Sequence, residues 1–200
     1  MKSPNLTPRS NHVGRQLTVP HEGLYRAMRG FLTDLEAAEQ AYREEVAAIR
    51  EKLGVPAQYM ETTDVERYSL AVQLFAAVTI EAVISFYAVL RFGGEKHDKH
   101  FRRDSAHKRL QKALANAGVP LNDDAEILKV VQSVMEARHR IAHPFTVEYS
   151  GSERATIQQP DRPGPDETAA AARRAVGSVD RFLELLRQLD EPNSHYFAIY

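Results

Sequence analysis

The chain predicts an all-α protein, an antiparallel bundle of about five helices with a small β-hairpin inserted before the last one. Three observations carry this. Apolar residues recur at spacings of three and four over most of the chain, the period of a helix with one buried face. Each run then stops at Gly or Pro: Gly54 and Pro56, Gly93-Gly94, Gly118-Val119-Pro120, Pro144, and Pro192. One run, Leu70 to Leu90, is apolar on nearly every face, so it needs other helices around it.

Residues 1–20 carry scattered Pro, Asn and Ser with no periodicity and no apolar stretch of the kind a secretory signal needs. They read as a flexible lead-in. From about His21 to Leu53, the residues Leu24, Met28, Phe31, Leu35, Ala38, Tyr42, Val46 and Ile49 form one apolar stripe on a long helix. Thr62, Thr63 or Asp64 caps the next helix, with Glu66 placed for a capping box on Thr63, and Gly93-Gly94 ends it. A helix this apolar is either a membrane span or the centre of a bundle. Gln73, Glu81 and the alanines, Thr and Ser favour the bundle, and no membrane partner is expected. A third helix is expected from about Ser105 to Ala117, and a fourth begins after Asn122 or Asp123. Beyond Pro144 the period becomes two (Phe145, Val147, Tyr149, then Ala155 and Ile157), which reads as the hairpin. Pro165 or Asp166 opens the last helix. The bundle thus spans residues 21–190, and residues 191–200 form an aromatic tail that docks on the body or on a partner.

Composition narrows the function. Two hundred residues suffice for one domain with a real core. There is no cysteine, so disulfides and thiolate chemistry are excluded, and a cytoplasmic location is the expectation. There is no Gly-x-Ser-x-Gly elbow. The net charge is −1, so any polyanion site must be a local patch. Residues 95–112 offer one, with Arg102, Arg103, Lys108 and Arg109 among seven Lys and Arg. Such a run reads either as a solvated loop and helix face or as a surface that tracks phosphates. His97-x-x-His100 lacks the further ligands a zinc site needs, so no metal and no cofactor are expected.

The densest chemistry is Arg138-His139-Arg140-Ile141-Ala142-His143-Pro144, at the end of the fourth helix. Five residues of continuous helix would set Arg138 and His143 about 140° apart. Pro144 disfavours helix at His143, so the imidazole can leave the axis and swing back towards Arg138. His139 lies one turn before His143, and Arg140 adds a further cation. The bland alternative is that these are helix-terminal cations beside the dipole's negative end. Glu81 is the one carboxylate inside the apolar run. It lies at a solvated seam or pairs with a cation, Arg138 being the candidate.

An α-bundle whose penultimate long helix ends in Arg-x4-His, with a polar residue after the Arg, resembles the HEPN superfamily. The bare spacing recurs at Arg102 and His107, so the helix-end context selects Arg138 and His143. The resemblance implies a metal-independent endoribonuclease acting on RNA, usually a homodimer with a composite cleft. It also implies service in toxin–antitoxin or antiphage defence, with an antitoxin or other defence partner. His143 would then be the general base or acid, Arg138 the phosphate holder, and His139 an accessory group. Arg140, Lys108, Arg109, Arg102 and Arg103 would bind substrate, with Glu81 in support. The alternative is an inactive bundle that binds RNA, nucleotide or a protein. One departure stands out: a subclass neutralised by modification of a Tyr two residues after the motif His has Phe145 here.

Overall fold

The computed structural model describes residues 20–54, 63–94, 101, 103–142 and 164–197. Within them lie α1 (Pro20–Leu53), α2 (Thr63–Phe92), α3 (Ala106–Asn116), α4 (Glu126–Ala142), α5 (Pro165–Leu189) and a 3-10 turn (Glu191–Phe197). The all-α class holds. No strand occurs among the described residues, and the stretch expected to form the hairpin, residues 145–157, lies outside them.

The ends of the helices have local causes. Pro20 opens α1 and Pro165 sits in the first turn of α5, where a missing N–H breaks no helical hydrogen bond. Ser105 caps α3 by accepting from the backbone N–H of Lys108 at 3.4 Å. Gly93 ends α2 in the left-handed region (φ 81°), its N–H bonded to the Val89 carbonyl at 2.8 Å. Gly118 (φ 84°) closes α3 with a paired pattern: Val119 N–H to Leu114 O at 2.9 Å and Gly118 N–H to Ala115 O at 3.0 Å.

The apolar run of α2 becomes the centre of the bundle and touches all four other helices. Val72, Ala76, Ala77, Ile80, Val83, Ile84, Tyr87 and Ala88 are fully buried. Its buried polar groups are satisfied, as burial requires. Ser69 donates to the Thr168 carbonyl at 2.6 Å, Thr79 to the Phe75 carbonyl one turn back at 2.7 Å, and Tyr87 to Asp190 at 2.8 Å. The helix is long and apolar enough to cross a membrane by composition, yet half of that window is buried inside the fold. It is not covered all round: Leu70 and Val78 are 41% and 39% exposed.

Side-chain pairs give the helix directions. Along α1, Tyr25 meets Asp180, Glu39 meets Arg173 and Arg43 meets Asp166, so α1 and α5 run antiparallel. His21 packs on Phe86 and Phe31 on Phe75, so α1 is also antiparallel to α2. By contrast, Ser69 meets Thr168 while Tyr87 and Arg91 meet Asp190, so α2 and α5 run parallel. This corrects the expectation of antiparallel neighbours in one central pair. The two parallel helices are joined through α3 and α4, a connection long enough to permit it.

Of the two expected alternatives for the aromatic tail, its described part, residues 191–197, docks on the body and adds Phe197 to the core. Phe197 is fully buried against Tyr87 (ring centroids 5.6 Å apart) and near His21 (6.4 Å). Arg187 donates twice to the Phe197 carbonyl, at 2.9 and 2.6 Å. Asp190 anchors the turn, accepting from Tyr87, Arg91 and Asn193. Burial alone would raise its carboxyl pKa, but these three donors outweigh burial and hold it below the ordinary range. The same burial, with Asp190 as acceptor, pushes the Tyr87 hydroxyl up.

Candidate functional site

The core face of α4 runs through Ile127, Val131 and Val134, all buried. Arg138 lies one turn beyond Val134 and so continues that face. The opposing stripe on α2 runs through Ala77, Ile84 and Ala88, and Glu81 interrupts it. Two apolar faces that pack together therefore meet at their one charged position each. Arg138 Nη1 donates to Glu81 Oε1 at 2.9 Å, and the side chains remain 43% and 31% exposed. The sequence-level pairing of these residues is thus observed, at a half-open seam rather than deep in the core. This geometry fixes one edge of the guanidinium.

His139 follows about 100° further round the helix, away from α2. It and Arg140, both exposed, line a groove of about 610 Å³ between α4 and the first turn of α3. From α3 come His107 and Lys108, and from α4 also Met135 and Glu136. The positive end of the α3 dipole lies at this groove beside Lys108, while His139 and Arg140 occupy the last turn of α4, at the negative end of its dipole.

The other expected cations divide. Lys108 is exposed at the groove, and Arg103 is exposed in the turn before α3. Arg109 turns inward. Its Nη1 donates to the Ser85 hydroxyl at 2.8 Å, and its Nε is buried without a hydrogen-bond partner among the described residues. It ties α3 to α2 instead of facing solvent. Lys112 is likewise engaged, with Asp104 at 2.8 Å and over the Phe101 ring. Arg102, His143, His97 and His100 lie outside the described residues. Among the described residues, no three His, Asp or Glu side chains converge as a metal-ligand set.

Three groove residues fall outside the expected site set: His107, which fits only the bare Arg-x4-His spacing with Arg102, and Gln132 and Glu136. A periodic signal for the latter two was present. Gln132, Glu136 and Arg140 are spaced i, i+4, i+8, a polar row beside the core stripe, and Gln132 donates to Glu136 at 2.8 Å. Comparison of the chain with family models, curated proteins and solved structures returns no match.

Proposed function

We propose that this chain is a metal-independent endoribonuclease of the HEPN type. The observation that carries the reading is the placement of Arg138. An always-charged guanidinium sits at the end of a core helix, braced by Glu81 yet 43% exposed, with His139 and Arg140 next in sequence.

The chemistry follows from these residue types. His143, as general base, takes the proton from a ribose 2′-hydroxyl. The 2′-oxygen attacks phosphorus while the bond to the 5′-oxygen breaks and that oxygen receives a proton. The products are a 2′,3′-cyclic phosphate and a 5′-hydroxyl end. Imidazole suits both transfers because its ordinary pKa is near neutrality. Arg138 neutralises the charge that grows on the non-bridging oxygens and cannot lose its proton while doing so. His139 serves as second acid or orienting group. Two copies facing each other would supply both sets in one cleft, in a toxin or antiphage effector held by a partner.

A second reading has its own support. Glu81 already occupies one edge of Arg138, as a strut between helices would. In that case the bundle binds RNA without cutting it. Incubating labelled single-stranded RNAs with the wild type, Arg138→Ala and His143→Ala in EDTA separates the two. The nuclease reading expects cleavage by the wild type only. Binding without cleavage by the wild type, across varied RNAs, selects the second.

A further inference from the structure

We propose that the α3/α4 groove is a nucleotide subsite. It seats one unpaired RNA nucleotide next to the scissile bond and favours a base that carries an exocyclic amino group. This rests on the reading of the site as RNA-directed.

Three features of the groove argue for it. Its volume, about 610 Å³, lies within the roughly 300–1,000 Å³ of small-ligand sites. Its floor is apolar, from buried Ala106 and Val131 and half-buried Met135. A splayed-out base needs such a surface for its face, and a thioether packs well on aromatic rings. Its rim carries Lys108 and Arg140, both exposed and neither in an ion pair among the described residues, so both are available to phosphate.

Glu136 makes the site selective. Gln132 donates to one of its carboxylate oxygens at 2.8 Å, which leaves the other oxygen to accept. A carboxylate repels phosphate and welcomes an amino donor. Arg140 is one turn further along α4, about 6 Å by helix rise. The groove is therefore polarised, with a base-reading end at Glu136 and a phosphate end at Arg140. Adenine and cytosine present an amino group on the edge that uracil fills with a carbonyl. Because Arg138 directly precedes His139 and Arg140 on α4, the subsite adjoins Arg138.

The test uses the full chain carrying His143→Ala, so that bound RNA stays intact. Fluorescence anisotropy measures the affinity of labelled oligo-A, oligo-C and oligo-U of equal length over a salt series. Oligo-A and oligo-C should bind about tenfold more tightly than oligo-U, the order of one charge-assisted hydrogen bond. Adding Glu136→Ala, at an exposed position, should erase that ratio without weakening oligo-U. Lys108→Ala and Arg140→Ala should weaken all three RNAs and each lower the salt slope by about 0.7. No binding, equal affinity for the three RNAs, or variants that bind like their parent would overturn the subsite. A wild type that cleaves while its Glu136→Ala form keeps the parent's base preference sinks the subsite alone. A chain that binds by these rules but never cleaves sinks the nuclease reading alone.

Discussion

Glu81→Gln removes the charge opposite Arg138 while keeping the side chain's shape, so it isolates the electrostatic part of the α2–α4 seam. The partners are 2.9 Å apart. With about 4 Å between charge centres, the attraction is about 4 kcal/mol at an effective dielectric of 20 and about 1 kcal/mol in bulk water. Side chains 31% and 43% exposed fall between those limits. Desolvation and lost rotamer freedom offset most of the gross attraction. The expected net coupling is about 1 kcal/mol, above a typical exposed pair and below a buried one. A double-mutant cycle of Glu81→Gln, Arg138→Gln and the double variant, followed by urea denaturation, measures it. The same brace aims the guanidinium. Glu81→Gln should therefore lower kcat for RNA cleavage by about fivefold, the rate equivalent of about 1 kcal/mol, and Glu81→Asp should restore part of it. A coupling of zero would refute the claim that the pair holds Arg138. A kcat unchanged by Glu81→Gln would refute its positioning role.

Two further expectations concern the core beneath the C-terminal turn. His21 is buried against Phe86, its Nδ1 has no hydrogen-bond partner among the described residues, and burial pushes its pKa below the ordinary 6.5, against weaker opposing effects of Tyr196 and Glu22. Between that depressed value and 6.5 the unfolded chain binds more protons than the folded one, so stability falls as pH drops below 6.5 through the window. Thermal unfolding over pH should show that slope in the wild type and a flatter one in His21→Leu. Phe197→Ala should destabilise by about 3–5 kcal/mol, the range for truncating a buried aromatic. It should also expose the amides of residues 191–197 to fast hydrogen exchange, and a change under 1 kcal/mol would show that the turn is not part of the core.

Much of the fold was legible because local chemistry writes it. Gly93, Gly118 and Pro165 stop or start helices through their own backbone geometry, and Ser105 starts one through its side-chain oxygen. The Glu81–Arg138 pair was legible for a related reason: each is the one charge interrupting an apolar stripe, and stripes meet. What stayed hidden depends on partners distant in sequence. Nothing local says that α2 and α5 run parallel, since Ser69–Thr168 and Tyr87–Asp190 join residues about a hundred positions apart. Arg109 looks like its neighbour Lys108 in sequence. Only the approach of Ser85 turns it inward. That the aromatic terminus docks on the body or on a partner was legible, but the choice between them was not, because its pocket is assembled from Tyr87 and His21, on two other helices. The groove was illegible because it is the space between α3 and α4, set by their packing and by no single run of residues.

The central claim is that Arg138 and His143 cleave RNA through its own 2′-hydroxyl. The most direct measurement is the identity of the new RNA ends, read by mass spectrometry after incubation with the full chain in EDTA. The account predicts 2′,3′-cyclic phosphate and 5′-hydroxyl ends, no cut at a nucleotide whose 2′-hydroxyl is methylated, and none by His143→Ala. Ends bearing 3′-hydroxyl and 5′-phosphate, cleavage that survives 2′-methylation, or undiminished cutting by His143→Ala would contradict it.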